Sequence, residues 1–218
     1  MNNKAQINQD LILDEQIFNK KTKGTFVEVG ALDGFGASNT WFFEKERDWS
    51  GLLIEPNPIE FNKMDLHPRP LSFKENCAIS NEEKEVDFFS IGGPCNVLSG
   101  IVDFYPKEHK ERINRELHQY KDYPVGHVLH STHEIIKIKS FKLQTLLEKY
   151  NLLNIDLVSI DVEGAELQVL SSIDFEKTNI HCFLIENNYN PDQIVEFLDK
   201  KNYKLLKNIE WDLVFIKK

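Results

Sequence analysis

Apolar positions along the chain follow two alternating rhythms. Short runs that are apolar throughout, or at every second residue, are separated by stretches apolar at three- and four-residue spacing. Thr25-Phe26-Val27-Glu28-Val29, Gly51-Leu52-Leu53-Ile54, Leu157-Val158-Ser159-Ile160 and residues 181–185 predict strands, and residues 71–73 and 86–91 predict two more. Residues 8–19, with Leu11, Ile12, Ile17 and Phe18, predict a helix. Further helices are expected through Trp41, Phe42 and Phe43, over 165–172 with Leu167 and Leu170 inward, and through Ile194, Val195, Phe197 and Leu198. Residues 203–206 and 213–216, with a polar link between them, predict a terminal antiparallel pair. Strands alternating with helices give an α/β fold with a largely parallel sheet.

Helix starts are marked in places. Asn57 is a candidate N-cap, Pro58 suits the first helical position, and Glu60 stands where a capping box takes its acid. Asn190-Pro191-Asp192-Gln193 repeats that pattern, and Ser38 or Asn39 can cap the helix through Trp41. Residues 92–139 break the alternation and predict an inserted segment. Within it, 106–120 reads as a helix with a weak stripe of Ile113, Leu117 and Tyr120 among charges of both signs. That composition favours a solvated helix, the alternative being a cap over an active site. His127, His130 and His133 recur every third residue, but Pro124 and Gly126 argue for a polar loop.

Composition narrows the function. The 218 residues fit one domain spanning 1–218, with the inserted cap at about 92–139. Apolar residues at 41% rule out wholesale disorder. A net charge of −9 argues against nucleic acid as a partner, since a phosphate backbone demands Lys and Arg. No transmembrane run occurs, and the N-terminus lacks the apolar core of a leader peptide. Cys77, Cys95 and Cys182 cannot all pair and form no CxxC. They read as reduced, largely buried thiols, and the expected location is cytoplasmic.

Acids cluster where the predicted strands end. Glu28 lies near the end of the first strand, and Glu55, Asp161 and Glu186 follow the last residues of three others. Ligands of open α/β sheets bind beyond the carboxyl ends of the strands, so these acids point to one ligand site. The turn 30–36 has the spacing GxxxGxG rather than GxGxxG, and it contains Asp33. A carboxylate there opposes a pyrophosphate and favours a ligand with a cationic centre. Glu55, 25 residues beyond Gly30, is placed to accept hydrogen bonds from ribose hydroxyls. A cationic, ribose-bearing cofactor without phosphate describes S-adenosylmethionine.

Five blocks in order carry a resemblance: Glu28-Val29-Gly30-Ala31-Leu32-Asp33-Gly34, Ser38-Asn39-Thr40, Ile54-Glu55-Pro56-Asn57, Asn76-Cys77-Ala78-Ile79-Ser80 and Ile160-Asp161-Val162-Glu163-Gly164-Ala165-Glu166. Together they resemble the FkbM family of S-adenosylmethionine-dependent methyltransferases over nearly the whole chain. The resemblance implies a Rossmann-like class I methyltransferase fold, with a mostly parallel seven-stranded sheet and an antiparallel C-terminal strand. It implies O-methylation, most often of sugar hydroxyls on glycans or polysaccharides. Glu28, Gly30 and Asp33 would line the methionine and ribose side, Glu55 the ribose, and Asn76, Cys77 and Ala78 the adenine. Ala31, Gly34, Asn39 and Pro56, in the same blocks, are expected beside the cofactor. Asp161 and Glu163 would lie near the transferred methyl and the acceptor. Many members carry Lys where this chain has Ser159, which alters the charge around Asp161.

Methyl transfer to a hydroxyl needs in-line placement and a base for the proton. Asp161, Glu163 and His133 are the candidates for that base. Alternatively Asp161, Glu163 and Glu186 would hold Mg²⁺ or Mn²⁺, which suit oxygen ligands. The competing readings are methylation of a small metabolite, a nucleotide-dependent oxidoreductase, and a non-catalytic binding module on the same fold. The glycine spacing and Asp33 argue against the oxidoreductase.

Overall fold

The computed structural model describes residues 3–124, 127–189 and 191–218. Eleven strands and seven α-helices follow one another as α1 (Gln9–Gln16), β1 (Thr25–Val29), α2 (Trp41–Arg47), β2 (Ser50–Ile54), α3 (Pro58–Lys63), β3 (Ser72–Glu75), β4 (Ala78–Ile79), β5 (Lys84–Gly92), β6 (Gly100–Ile101), α4 (Lys107–Tyr120), β7 (Thr132–Phe141), α5 (Leu143–Lys149), β8 (Asn154–Ile160), α6 (Glu166–Ser171), β9 (Asn179–Glu186), α7 (Pro191–Lys200), β10 (Tyr203–Ile209) and β11 (Asp212–Lys217). Short 3₁₀ turns cover 64–66, 93–98 and 102–104.

Seven strands form a mixed sheet in the order β10-β11-β9-β8-β1-β2-β3. The pairings from β9 to β3 are parallel, while β11 runs antiparallel to both β9 and β10. The expected terminal hairpin is therefore present. Alternating side chains divide the interior. Val27, Leu52, Val158 and Phe183 face a core closed by Leu146 of α5, Val169 of α6 and Leu198 of α7. Their neighbours Phe26, Leu53, Leu157 and Leu184 face the other core, closed by Leu13 of α1 and Phe43 of α2. Burial on both faces explains why these strands read as continuous apolar runs.

The inserted segment differs from its expectation. It belongs to a second sheet, ordered β4-β7-β5-β6, which begins before residue 92. Thr132–Phe141 is a long strand paired antiparallel with β5, so the expected polar loop is a strand over most of its C-terminal part. Residues 125 and 126 of that stretch, and the expected cap Asn190, lie outside the described residues. Helix α4 forms where predicted, but it does not lie free in solvent. Its His109 and Ile113 are buried, and Ile113 packs with Cys95, Leu98 and Tyr105.

Asn57 joins the two sheets. Its Oδ1 accepts from Ile59 N, the expected N-cap, and from Ser90 Oγ, while its Nδ2 donates to Ile91 O and Ser99 Oγ. All of its amide bonding capacity is used, as burial requires. The capping box is not formed through Glu60, whose carboxylate pairs with Lys63. Glu55 takes the Asn57 N–H instead, at 2.7 Å.

Candidate active site

Strand order reverses between β1 and β8, and a cavity of about 410 Å³ opens beyond their carboxyl ends. Its size is that of a small-molecule or cofactor site. The backbone at this point is tied tightly: Gly30 N and Ala31 N donate to Ile54 O, and Asp161 N donates to Val29 O. Gly30 has φ +86°, and a Cβ there would stand 1.8 Å from Asp161 O. Only glycine lets the two strand ends come this close.

The glycine turn is built on buried charge. Glu28, on β1, accepts from Ser38 Oγ, Asn39 N and Thr40 Oγ1 at 2.6–2.9 Å. Burial raises its pKa, against which Arg69 and these hydrogen bonds work. Ser38 Oγ accepts from Thr40 N and Trp41 N just before α2, but the N-cap position is Thr40, so neither Ser38 nor Asn39 holds it. Arg69, itself buried, donates to Glu44, to Gly34 O and to Thr40 Oγ1. Nothing in the sequence around Arg69 marked it. Asp33 accepts from Phe35 N and Gly36 N, which folds the turn. It does not line the cavity, and neither does Gly34, whose carbonyl faces Arg69.

Glu55 lies at the end of β2, 3% exposed and lining the cavity. Its two oxygens accept from Leu32 N and Asn57 N, each at 2.7 Å. Burial outweighs those bonds and lifts its pKa to about 8. Pro56, Cys77 and Ala78 line the same side. Asn76 does not; its amide donates to the carbonyls of Glu55 and Pro56 and holds the β2 exit in place. Asn39 Nδ2 donates to Ser159 Oγ, so Ser159 anchors a cavity side chain. The Oδ1 of Asn39 is buried without a partner and belongs to the cavity wall.

Asp161, Glu163 and Glu186 come together at the ends of β8 and β9, with carboxylate oxygens within 4.8 Å of one another. Asp161 and Glu186 hydrogen-bond to each other. Burial first, and then the charges of Glu186 and Glu163, push the Asp161 pKa well up. Two carboxyls so placed each disfavour ionisation of the site as a whole. Glu186 Oε2 has no partner among the described residues. Glu163 has a left-handed backbone, φ 54°, and its carboxylate meets Arg112 at 3.4 Å and His109 at 3.3 Å. Both partners come from α4, so the helix caps this part of the site. Neither could have been singled out from a helix whose charges alternate in sign.

His133 is not brought into the site. It is exposed on β7, paired with Ile91 and edge-on to Phe89. It does not line the cavity, so it is not placed as the base. The three cysteines are free and buried, as expected.

The three acids fit a divalent cation poorly. Glu163 already meets a guanidinium and an imidazole, and Asp161 and Glu186 are bound to each other. An ion would have to break these contacts, so no step is derived through a metal.

Comparison with known proteins agrees with this architecture. The sequence model of the family described as "Methyltransferase FkbM domain" matches residues 28–205. "Methyltransferase 1" of Beauveria bassiana (strain ARSEF 2860) is 26% identical over 162 residues, which are 69% of this chain and 55% of that protein. Among solved structures, Methyltransferase FkbM from Methylobacillus flagellatus KT aligns with a TM-score of 0.50 at 11% identity, over 89% of this chain and 43% of the other. At that identity the likeness concerns the fold. The chain thus spans about half the length of both relatives. The family match covers most of the chain, from the acid of β1 through the β9 end and into β10, and the protein belongs to the FkbM methyltransferase domain family.

Proposed function

We propose that the chain is an S-adenosylmethionine-dependent O-methyltransferase acting on a hydroxyl of a sugar or glycan. The observation that carries this reading is the acid-lined cavity at the strand-order reversal, which has four strand-end acids and, among the described residues, one basic side chain, Arg112, in its wall. Arg112 is engaged by Glu163 and Glu116. A wall of this kind suits a sulfonium and offers no cradle to a pyrophosphate. The cofactor fits the residues present. Glu55 keeps a lone pair on each oxygen for ribose hydroxyls, and the orphaned Asn39 Oδ1 calls for a donor from a ligand. Cys77 and Ala78 would border the adenine. When bound, the cofactor supplies an electrophilic methyl group.

The chain's own part is to orient the acceptor and take its proton. The Asp161–Glu186 pair is suited to that task, because it lies in the cavity wall and presents an unpartnered carboxylate oxygen. A raised pKa brings the pair closer to neutrality, where a general base works best. Methylation of a small metabolite uses the same geometry and remains the second reading, since no wall residue demands a sugar.

Calorimetry with S-adenosylmethionine and, separately, NAD⁺ tests the reading. Binding of the first and not the second is expected, and added Mg²⁺ should not change the affinity. Asp161→Asn should lower turnover by about 10²–10⁴-fold while cofactor affinity stays within a few-fold. No binding of S-adenosylmethionine to folded protein would overturn the proposal and favour a binding module.

A further inference from the structure

The imidazole of His109, on α4, touches three other elements beside the cavity. Its ring is fully buried. Nε2 lies 3.2 Å from Leu98 O and donates to it, since a carbonyl only accepts. Nδ1 lies 2.7 Å from the Tyr189 hydroxyl and 3.3 Å from a carboxylate oxygen of Glu163. Leu98 closes the 3₁₀ turn whose neighbours Asn96, Val97 and Ser99 line the cavity. Tyr189 follows the β9 end, and Glu163 follows β8. Tyr105 packs on the ring at 4.5 Å and sends its own hydroxyl to the same carbonyl, Leu98 O.

We infer that His109 is a positioning residue: it locks α4 and the 93–98 turn onto the ends of β8 and β9, and so holds Glu163 and the acceptor wall in place. Apolar packing alone does not explain this site. A buried imidazole with polar partners on three elements fixes one relative placement of those elements, because any shift leaves buried polar atoms unpaired. The backbone of Glu163 adds a reason for such a clamp. A non-glycine residue at φ 54° persists only where its surroundings hold it. Gly164, next to it, sits against Pro106 just before α4, so the turn and the helix are packed together at a second point.

The inference rests on the proposed methyl transfer for its meaning, but its test does not need an acceptor. Cys95 lies under α4, fully buried in the cluster with Leu98, Tyr105 and Ile113, whereas Cys182 lies in the core of the main sheet. The intact chain and the variants His109→Ala, His109→Gln and Tyr189→Phe would be labelled with N-ethylmaleimide, and each cysteine followed by peptide mass spectrometry. In His109→Ala, Cys95 should react about tenfold faster or more, with Cys182 still protected, because opening is local. His109→Gln, which can still donate to Leu98 O, should restore much of the protection, and Tyr189→Phe should fall between. S-adenosylmethionine affinity should stay within about threefold in every variant, since neither His109 nor Tyr189 lines the cavity. Unchanged labelling of Cys95 overturns the inference. So does Cys182 labelling that rises in parallel, or equal effects of Ala and Gln, since both describe general destabilisation. Failure of the intact chain to bind S-adenosylmethionine would overturn the proposed function and leave the clamp standing.

Discussion

Glu55 makes the chain's stability depend on pH in a direction opposite to that of a salt-bridged acid. Its pKa rises from 4.5 to about 8 on folding. Between those values the unfolded chain is ionised while the folded chain keeps its proton. The folded state then binds more protons, so stability falls as pH rises across this window. For this one group the loss is about 1 kcal/mol at pH 5 and about 4 kcal/mol at pH 8, relative to low pH. Glu55→Gln removes the titration. It also has a fixed cost: both oxygens accept a backbone N–H, and the Gln Nε2 must face one of those donors. An N–H left unpaired there costs about 1–3 kcal/mol at every pH. The variant should therefore be less stable than the parent at pH 5 and should equal or exceed it at pH 8. The relative shift is about 3 kcal/mol. Urea unfolding at pH 5, 6.5 and 8, with both proteins free of cofactor, measures this difference. Parallel stability curves across the range would refute a proton held on Glu55.

Two further substitutions probe the frame of the site. Gly30→Ala would put a methyl group on the Asp161 carbonyl and impose a left-handed backbone on alanine. A loss of roughly 3 kcal/mol or more is expected in thermal unfolding, and a loss under about 1 kcal/mol would show that the strand ends can separate. Arg69→Met removes the partner of Glu44, the donor to Gly34 O and a cation that tempers Glu28. Glu44 would keep Ser72 Oγ and Leu71 N as donors but lose its buried cation, which should cost roughly 3–5 kcal/mol in urea unfolding, and a near-neutral result would mean that Lys45, 3.7 Å away, can replace the guanidinium.

The central strands were legible because they are buried on both faces, and such strands carry apolar residues without interruption. Asn57 was legible because Asn-Pro has a local meaning at a helix start. The strand-end acids were legible for a different reason: a carboxylate directly after an apolar run needs partners that the strand cannot supply. The second sheet was not legible to the same degree. β7 exposes one face, with His133, Ile135, Lys137 and Lys139 in solvent, and the recurring histidines, Pro124 and Gly126 suggest a loop. His109 and Arg112 were hidden for a related reason. The acid they share, Glu163, is more than 50 residues away on another element, and on their own helix they look like any polar residue.

The acids of the site stand in conflict with the stability of the fold. Glu28, Glu55, Asp161 and Glu186 are each buried enough that their pKa values rise, and Glu166 beside them rises to about 7. A chain selected only for stability would put neutral or apolar groups at these strand ends, as it does along the strands themselves. Rules that hold along β1, β2, β8 and β9 fail at their last residues, and a site is where such local failures are expected to gather. The failures are also unequal. Glu28 has hydrogen bonds from three residues and Arg69 nearby, so its burial is answered from within the chain. Glu186 keeps one oxygen unanswered, and so does the amide of Asn39. Asn39 and Glu186 both line one cavity, and under the proposed function a bound cofactor and acceptor would supply the partners these atoms lack.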